Sequence, residues 1–436
     1  MAELPPTLTA LRAALAAGEL SAAEALRLQD ERFRAGHARY RCASWLPAQP
    51  PLQAAANGDL AGIALAHKDI FAMRDRLPGL GCGPGEYCPG QTPARALASL
   101  ERAGAVELGA LAMAEYACGA TGANSWLGRC VNPLNDQAVV GGSSSGSAAA
   151  VAAGLVYGSL GTDTAGSVRI PAATCGVLGL KTTHGALPTE GVHPLAPSLD
   201  SVGIIAGSCA DAAQLLAALR PMEQQRTPVP ARPRLRAWLS DGPLHDEVAR
   251  ALEEAARELG AQQQALPAAD FERWSAAAEI VLRAETAATH YASLSARTAP
   301  RALADIGLAG LSMAEWRCRA LAARPAIAAR FVDEYLRDAD ILMLPALARP
   351  IPDWDRVTPG DEGFDAAELL GLHRYMGFVN YLGLPALVLP VARDARGLPI
   401  AVQLIARPHH EETLLTFAER FEASFCGTRP KAGAFH

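Results

Sequence analysis

The chain has 436 residues, half of them hydrophobic and 19% charged, with a formal net charge of −6. That size and apolar content allow a large buried core, and the acidic balance excludes the basic footprint of a nucleic-acid surface. Nine cysteines lie at irregular spacings without a C-x-x-C pair, a usage that fits reduced thiols in the cytoplasm and neither a disulfide framework nor a zinc site. In chain order, residues 7–18 have helical spacing of Leu and Ala. Ser21-Ala22-Ala23-Glu24 then reads as a capping box opening a helix to about Arg34. The start of the chain lacks a basic region followed by an apolar core, and no uninterrupted apolar window reaches membrane-spanning length, so neither a secretory leader nor a span is expected.

The apolar run 60–66 (LAGIALA) predicts a buried strand that delivers His67, Lys68 and Asp69 at its end. A lysine placed there either marks where the strand reaches water or is buried and must be paired or neutral. Residues 93–104 predict a helix and 105–113 a strand, followed by a Gly- and Asn-rich loop at 119–128. Tyr116 and Trp126 flank this loop as candidate pocket residues. The small apolar residues after Ser147 predict a tightly packed helix, residues 161–166 a turn, and 168–170 and 177–180 strands. Helices are expected at 209–219, 246–260 and 411–423, with strands at 235–239, 341–344, 386–391 and 400–405. Residues 270–338 read as mostly helical, 345–359 as a Pro-rich loop and 366–381 as a further helix. Strands alternating with helices at this spacing predict an α/β chain, a mixed sheet covered by helices on both faces. No linker divides the chain, so one domain is expected. Within it, 1–58 would form a helical arm, 60–206 the core, 220–335 a variable helical cover and 340–425 the strands and helix that complete the sheet.

Chemistry concentrates in 141–171, GGSSSGSAAAVAAGLVYGSLGTDTAGSVRIP. A flexible linker would share the Gly and Ser content but not the apolar centre. A phosphate loop would need a lysine that Gly146-Ser147-Ala148 lacks. A nucleophile elbow matches Gly142-Ser143-Ser144-Ser145-Gly146 literally, with Ser144 as nucleophile, but lacks a proper strand before it. A packed turn without chemistry and a serine hydrolase using lysine as base are the remaining readings. A serine needs a neighbour to take its proton, and a lysine made neutral by burial can do so. Lys68 and Lys181 both qualify, and spacing does not choose between them.

GGSSSGS at 141–147 followed by GTDTAGSVRIP at 161–171 resembles the two-part signature of the amidase signature hydrolases. Similarity continues in LAGIALAHKDIF (60–71), RAGAVELGALAMAEYACG (102–119), CGVLGLKTTHG (175–185) and SLDSVGIIA (198–206). It extends through DILMLPA (340–346), GLPALVLP (383–390) and GLPIAVQLIARP (397–408). The resemblance implies the family's Ser–cis-Ser–Lys triad: Ser167 as nucleophile, Ser143 as relay after a cis Gly142–Ser143 peptide, and Lys68 as base. It also implies an oxyanion hole from the N–H groups of Thr164, Ala165, Gly166 and Ser167, with Asp163 and Arg169 paired to hold the loop. Tyr116, Ala117, Trp126 and Ser144 are the candidate substrate contacts. Ser145, Ala165, Thr182 and His184 depart from the family pattern. Of these, the Ala165 methyl matters most, because it would narrow the hole or oppose a positive φ.

The implied activity is hydrolysis of an amide, carbamate or ester of a small molecule, with no metal and no organic cofactor. Alternatives are the catalytic subunit of a tRNA-dependent amidotransferase and a catalytically silent subunit that keeps the fold. The expected partners are the small-molecule substrate and a second copy of the chain, with no direct nucleic-acid contact and no membrane. The pocket is expected from the 113–128 loop, the 220–335 cover and the Pro-rich loop. No arginine stands out as a partner for a substrate carboxylate, which favours a neutral or aryl-type substrate.

Overall fold

The computed structural model describes residues 4–49, 52–53, 57–220, 227–239, 244–265 and 267–425. Strands β1 (Ala43–Trp45) and β2 (Ala64–Lys68), the short hairpin β3 (Arg76–Leu77) and β4 (Glu86–Tyr87), and β5 (Val106–Leu111) come first. They are followed by β6 (Gly158–Asp163), β7 (Leu178–Lys181), β8 (Ser201–Ala206), β9 (Leu235–Leu239) and β10 (Gln262–Ala265). The last three are β11 (Ile341–Pro345), β12 (Ala386–Arg393) and β13 (Pro399–Ala406). Eight of these form one sheet in the order β10-β9-β11-β13-β12-β7-β8-β6. The β10–β9–β11 end is parallel and the remainder antiparallel. This is the expected α/β architecture, a single domain around a mixed sheet. Burial on both faces explains why its central strands read as unbroken apolar runs.

β1, β5 and β2 make a separate three-stranded sheet, and its strand β2 docks against β6, the edge of the large one. Along that edge the Leu160 N–H has no strand to pair with, and it donates to His67 Nδ1 at 2.8 Å. A side chain from β2 thus satisfies a backbone group that an open edge would leave unpaired. Burial lowers the His67 pKa to about 3, so the ring is neutral and its Nδ1 is free to accept.

Four local expectations change. The small-residue helix spans Ser145–Ala152, and 161–163 belong to β6 where a turn was expected. The glycines there serve close packing: a Cβ on Gly158 would lie 2.4 Å from Leu215 Cδ1, and one on Gly161 would lie 2.6 Å from Ser144 Oγ. Residues 169–175 form a helix, not a strand. Pro171 is tolerated there because its missing N–H falls in the first turn. The expected 366–381 helix is two, Ala366–His373 and Gly377–Leu382.

Gly146 permits the closest backbone approach in the signature, since a Cβ would lie 2.3 Å from the Cys42 carbonyl oxygen and 2.5 Å from Ala112 N. Gly146→Ala is therefore expected to destabilise the fold by about 1–3 kcal/mol, read as a lower urea midpoint with unchanged slope.

Candidate active site

The signature folds into two loops that meet. Backbone bonds join Gly146 N to Ala112 O (2.8 Å), Ala114 N to Ser143 O (3.1 Å) and Ser144 N to Ser167 O (3.1 Å). The end of β5, the first serine turn and the turn that carries Ser167 are thus held as one unit. The peptide between Gly142 and Ser143 is cis.

Lys68 is the last residue of β2 and only 1% exposed, so the strand does not carry it to water. Its Nζ lies 2.8 Å from Ser143 Oγ and 2.8 Å from Thr162 Oγ1 on β6. Burial lowers its pKa to about 7, against the opposing pull of the Asp200 and Asp163 charges. Lys181, the rival candidate, is equally buried, and burial also lowers it to about 7. Its Nζ, however, donates to the Thr182 and Leu384 carbonyls. Geometry therefore separates the two lysines: one faces a serine and the other ties strand ends together.

Ser167 is half-buried and, with Gly142, Thr164 and Ala165, lines a cavity of about 840 Å³. Lys68, Ser143 and the turn that carries Ser167 are therefore joined at one place, with Gly142 and Ser167 on the cavity wall. A buried ion pair anchors the turn that carries Ser167. Asp163 and Arg169 are both inaccessible, joined by Arg169 Nη2 to Oδ1 at 2.8 Å and Nε to Oδ2 at 2.9 Å. Burial alone would raise the Asp163 carboxyl, but the Arg169 charge and its hydrogen bonds hold it well below the usual carboxylate range. Asn380 accepts from Arg169 at 2.6 Å and donates to Asp163 Oδ1 at 2.9 Å, while the guanidinium also reaches Gln403 on β13.

One oxyanion assignment is corrected. The Gly166 N–H donates to Asp163 Oδ1 at 2.9 Å, because a buried carboxylate needs donors on both oxygens. Among the described residues, the N–H groups of Thr164, Ala165 and Ser167 make no hydrogen bond within the protein. Positive φ in this turn falls on Gly166 (+114°) and not on Ala165, so the alanine meets no backbone objection.

The substrate candidates separate as well. Ala117 lines the cavity, and Tyr116 and Trp126 are not among its lining residues. Tyr116 sits edge-on to the rings of His193 and His290, and Trp126 is 64% exposed. Ser144 is inaccessible and its hydroxyl has no partner. Burial against Gly161 corrects both its role as a substrate contact and its reading as an elbow nucleophile. The motif reading missed Thr162, Asn380, Gln403 and Asp200. Asp200 accepts from Thr164 Oγ1 at 2.6 Å and from the Leu195 and Ala196 N–H groups. Only SLDSVGIIA hinted at it.

A buried lysine hydrogen-bonded to Ser143, and a cavity lined by Ser167, thus stand on an α/β fold. The chain belongs to the amidase family, whose model matches residues 38–415. It is 32% identical to a glutamyl-tRNA(Gln) amidotransferase subunit from Aromatoleum aromaticum, over 95% of this chain and 96% of that one. A solved structure called an amidase shares 27% identity at a TM-score of 0.82, covering 96% of this chain and 100% of the other. At TM-score 0.85 and 27% identity, covering 96% and 98%, stands a structure of a vestigial protein complex that bears on the origins of an s-triazine catabolic enzyme. Among the described residues no helix is long and apolar enough to cross a membrane.

Proposed function

We propose that this chain hydrolyses a carbon–nitrogen bond of a small-molecule amide through an acyl-enzyme on Ser167. The contact that carries the reading is Lys68 Nζ to Ser143 Oγ at 2.8 Å, made by a lysine whose burial lowers it to about 7. Neutral Lys68 takes the Ser143 proton as Ser143 takes that of Ser167, and the freed Ser167 Oγ bonds to the substrate carbonyl carbon. The negative charge that develops on the carbonyl oxygen is met by the N–H groups of Thr164, Ala165 and Ser167, each such donor contributing on the order of 2.7–4 kcal/mol. Collapse of the tetrahedral species breaks the C–N bond, and the proton held by Lys68 returns through Ser143 to the leaving nitrogen. Water then repeats the relay, releasing the acid and restoring Ser167. Carbamates and esters fit the same sequence of steps.

A second reading follows from the names of the relatives: a catalytic subunit that releases ammonia within an amidotransferase assembled with protein partners. Screening the purified chain on p-nitroanilides, p-nitrophenyl esters and aryl carbamates, with and without partner subunits and glutamine, separates the two. Treatment with a sulfonyl fluoride is expected to add one sulfonyl group, mapped by peptide mass spectrometry to Ser167, with loss of hydrolysis. A label on Ser144, or an unlabelled and fully inhibited enzyme, would overturn the assignment. A cytoplasmic location accords with the free thiols among the described cysteines and is part of the same proposal, as is a homodimer.

A further inference from the structure

The cavity that Ser167 opens onto has two zones. Its buried wall is apolar, formed by Ile170, Leu195, Leu199, Phe271 and Ala278, each less than 5% exposed. Its charged lining residues are all partly or fully exposed and sit at the mouth. Each of the three arginines there already has a carboxylate partner: Arg283 with Glu279, Arg349 with Glu368 at 3.4 Å, and Arg374 with Glu272 at 3.0 Å. Arg374 also lies over the Phe271 ring at 5.5 Å. Leu370 extends the apolar surface outward and is 67% exposed. At about 840 Å³, the space lies near the upper end of drug-sized ligand pockets.

From this arrangement we infer that the substrate is a bulky, uncharged amide with an alkyl or arylalkyl body that fills the apolar wall. The inference rests on the hydrolase reading and names its substrate class. A small amino-acid amide such as glutamine would bring an ammonium and a carboxylate to a wall that offers no charged partner, which disfavours it through desolvation. The charged groups at the mouth do not change this. Arg283, Arg349 and Arg374 are already paired, Glu279 and Glu272 with them, and Asp305 faces Arg301 at 3.8 Å. All three lining carboxylates are exposed, where water screens any ammonium they would meet. An apolar body loses nothing there and gains with each group removed from water.

The test uses two series of neutral anilides, one lengthened on the acyl side and one on the amine side, together with glutamine and acetanilide. In one series kcat/KM is expected to rise about threefold to fourfold for each added methylene until the wall is covered. Ala278→Leu is expected to move that optimum to a shorter chain. Calorimetry on Ser167→Ala reads the same preference as binding without turnover, with a heat-capacity change that grows more negative along the series. Equal binding of acetanilide and the long anilides, or tighter binding of glutamine, would overturn the inference. A chain-length gain in binding without hydrolysis by the wild-type chain would support the substrate class and sink the hydrolase reading.

Discussion

Lys68→Met is expected to lower kcat by a factor on the order of 10⁴ to 10⁶, the range seen when a member of a catalytic triad is removed. Methionine keeps the apolar stem and removes only the amine that takes the proton, so a folded and inactive protein is the expected product. In the wild-type chain, kcat/KM is expected to rise about tenfold per pH unit below pH 7 and to level off above it. The reason is that only the neutral amine accepts a proton and burial sets that transition at about 7. A profile flat from pH 5 to 9 would exclude this lysine as base.

The same lysine makes stability depend on pH. Between about pH 7 and the ordinary lysine range near 10, the unfolded chain holds a proton on Lys68 that the folded chain has lost. Stability therefore rises with pH, by about 1.4 kcal/mol per unit once Lys68 is neutral in the fold. Lys181, also lowered to about 7, adds the same slope. Burial pushes the thiols of Cys42, Cys118 and Cys175 up to about 12, and they act in the opposite sense once unfolded thiols ionise above about pH 8.5. The window before the thiols enter is thus about pH 7 to 8.5. Within it the buried Glu107 carboxyl, raised well above the usual carboxylate range, opposes the two lysines as a single group until it ionises. Urea midpoints across it are expected to climb in the wild type, with about half that lysine-dependent slope in Lys68→Met. An unchanged slope would show that Lys68 does not titrate in this window.

Arg169→Met is expected to cost about 3–5 kcal/mol, because it strands a fully buried carboxylate. The loss should show first at the active site. Asp163 orders the nucleophile turn by accepting from Gly166 N and Val168 N, and a carboxylate without its guanidinium would take up a proton or draw water inward. Asp163→Asn combined with Arg169→Met is expected to recover part of the stability, since it removes the stranded charge, while activity stays low. Chemical denaturation and a double-mutant cycle read both effects. A cost below about 1 kcal/mol for Arg169→Met would mean that the pair is not the anchor of the turn. The Asp163 carboxyl is depressed in the fold, so the stability it contributes is fully present above about pH 4 and is lost as the medium falls toward its folded pKa.

The apolar runs of β2, β11, β12 and β13 were legible in the sequence because both sides of these strands are buried, so hydrophobicity alone marked them. Around the signature, composition misled: Gly158 read as the end of the packed helix and Gly161 as a turn residue, and both are strand residues kept small by Leu215 and Ser144 across the packing interface. A one-residue pattern cannot tell a glycine required by its φ from one required by a neighbour distant in sequence. The substrate wall was legible only in outline. The loop after Met113, the variable helices and the Pro-rich segment all contribute to it, but which of their side chains face inward depends on helix rotation.

The sequence by itself determined the family through its two-part signature, the α/β class, and a short set of serines and lysines from which the chemistry had to come. The signature's resemblance already implied Lys68, whereas spacing left Lys181 open. Only tertiary structure shows the 2.8 Å contact between Lys68 and Ser143 across 75 residues of chain, since both lysines are equally buried. It also gives the Gly166 N–H, an expected oxyanion donor, to Asp163, and it buries Ser144. These outcomes turn on where backbone donors and acceptors find partners once the core has closed, and no local pattern of residue types encodes that.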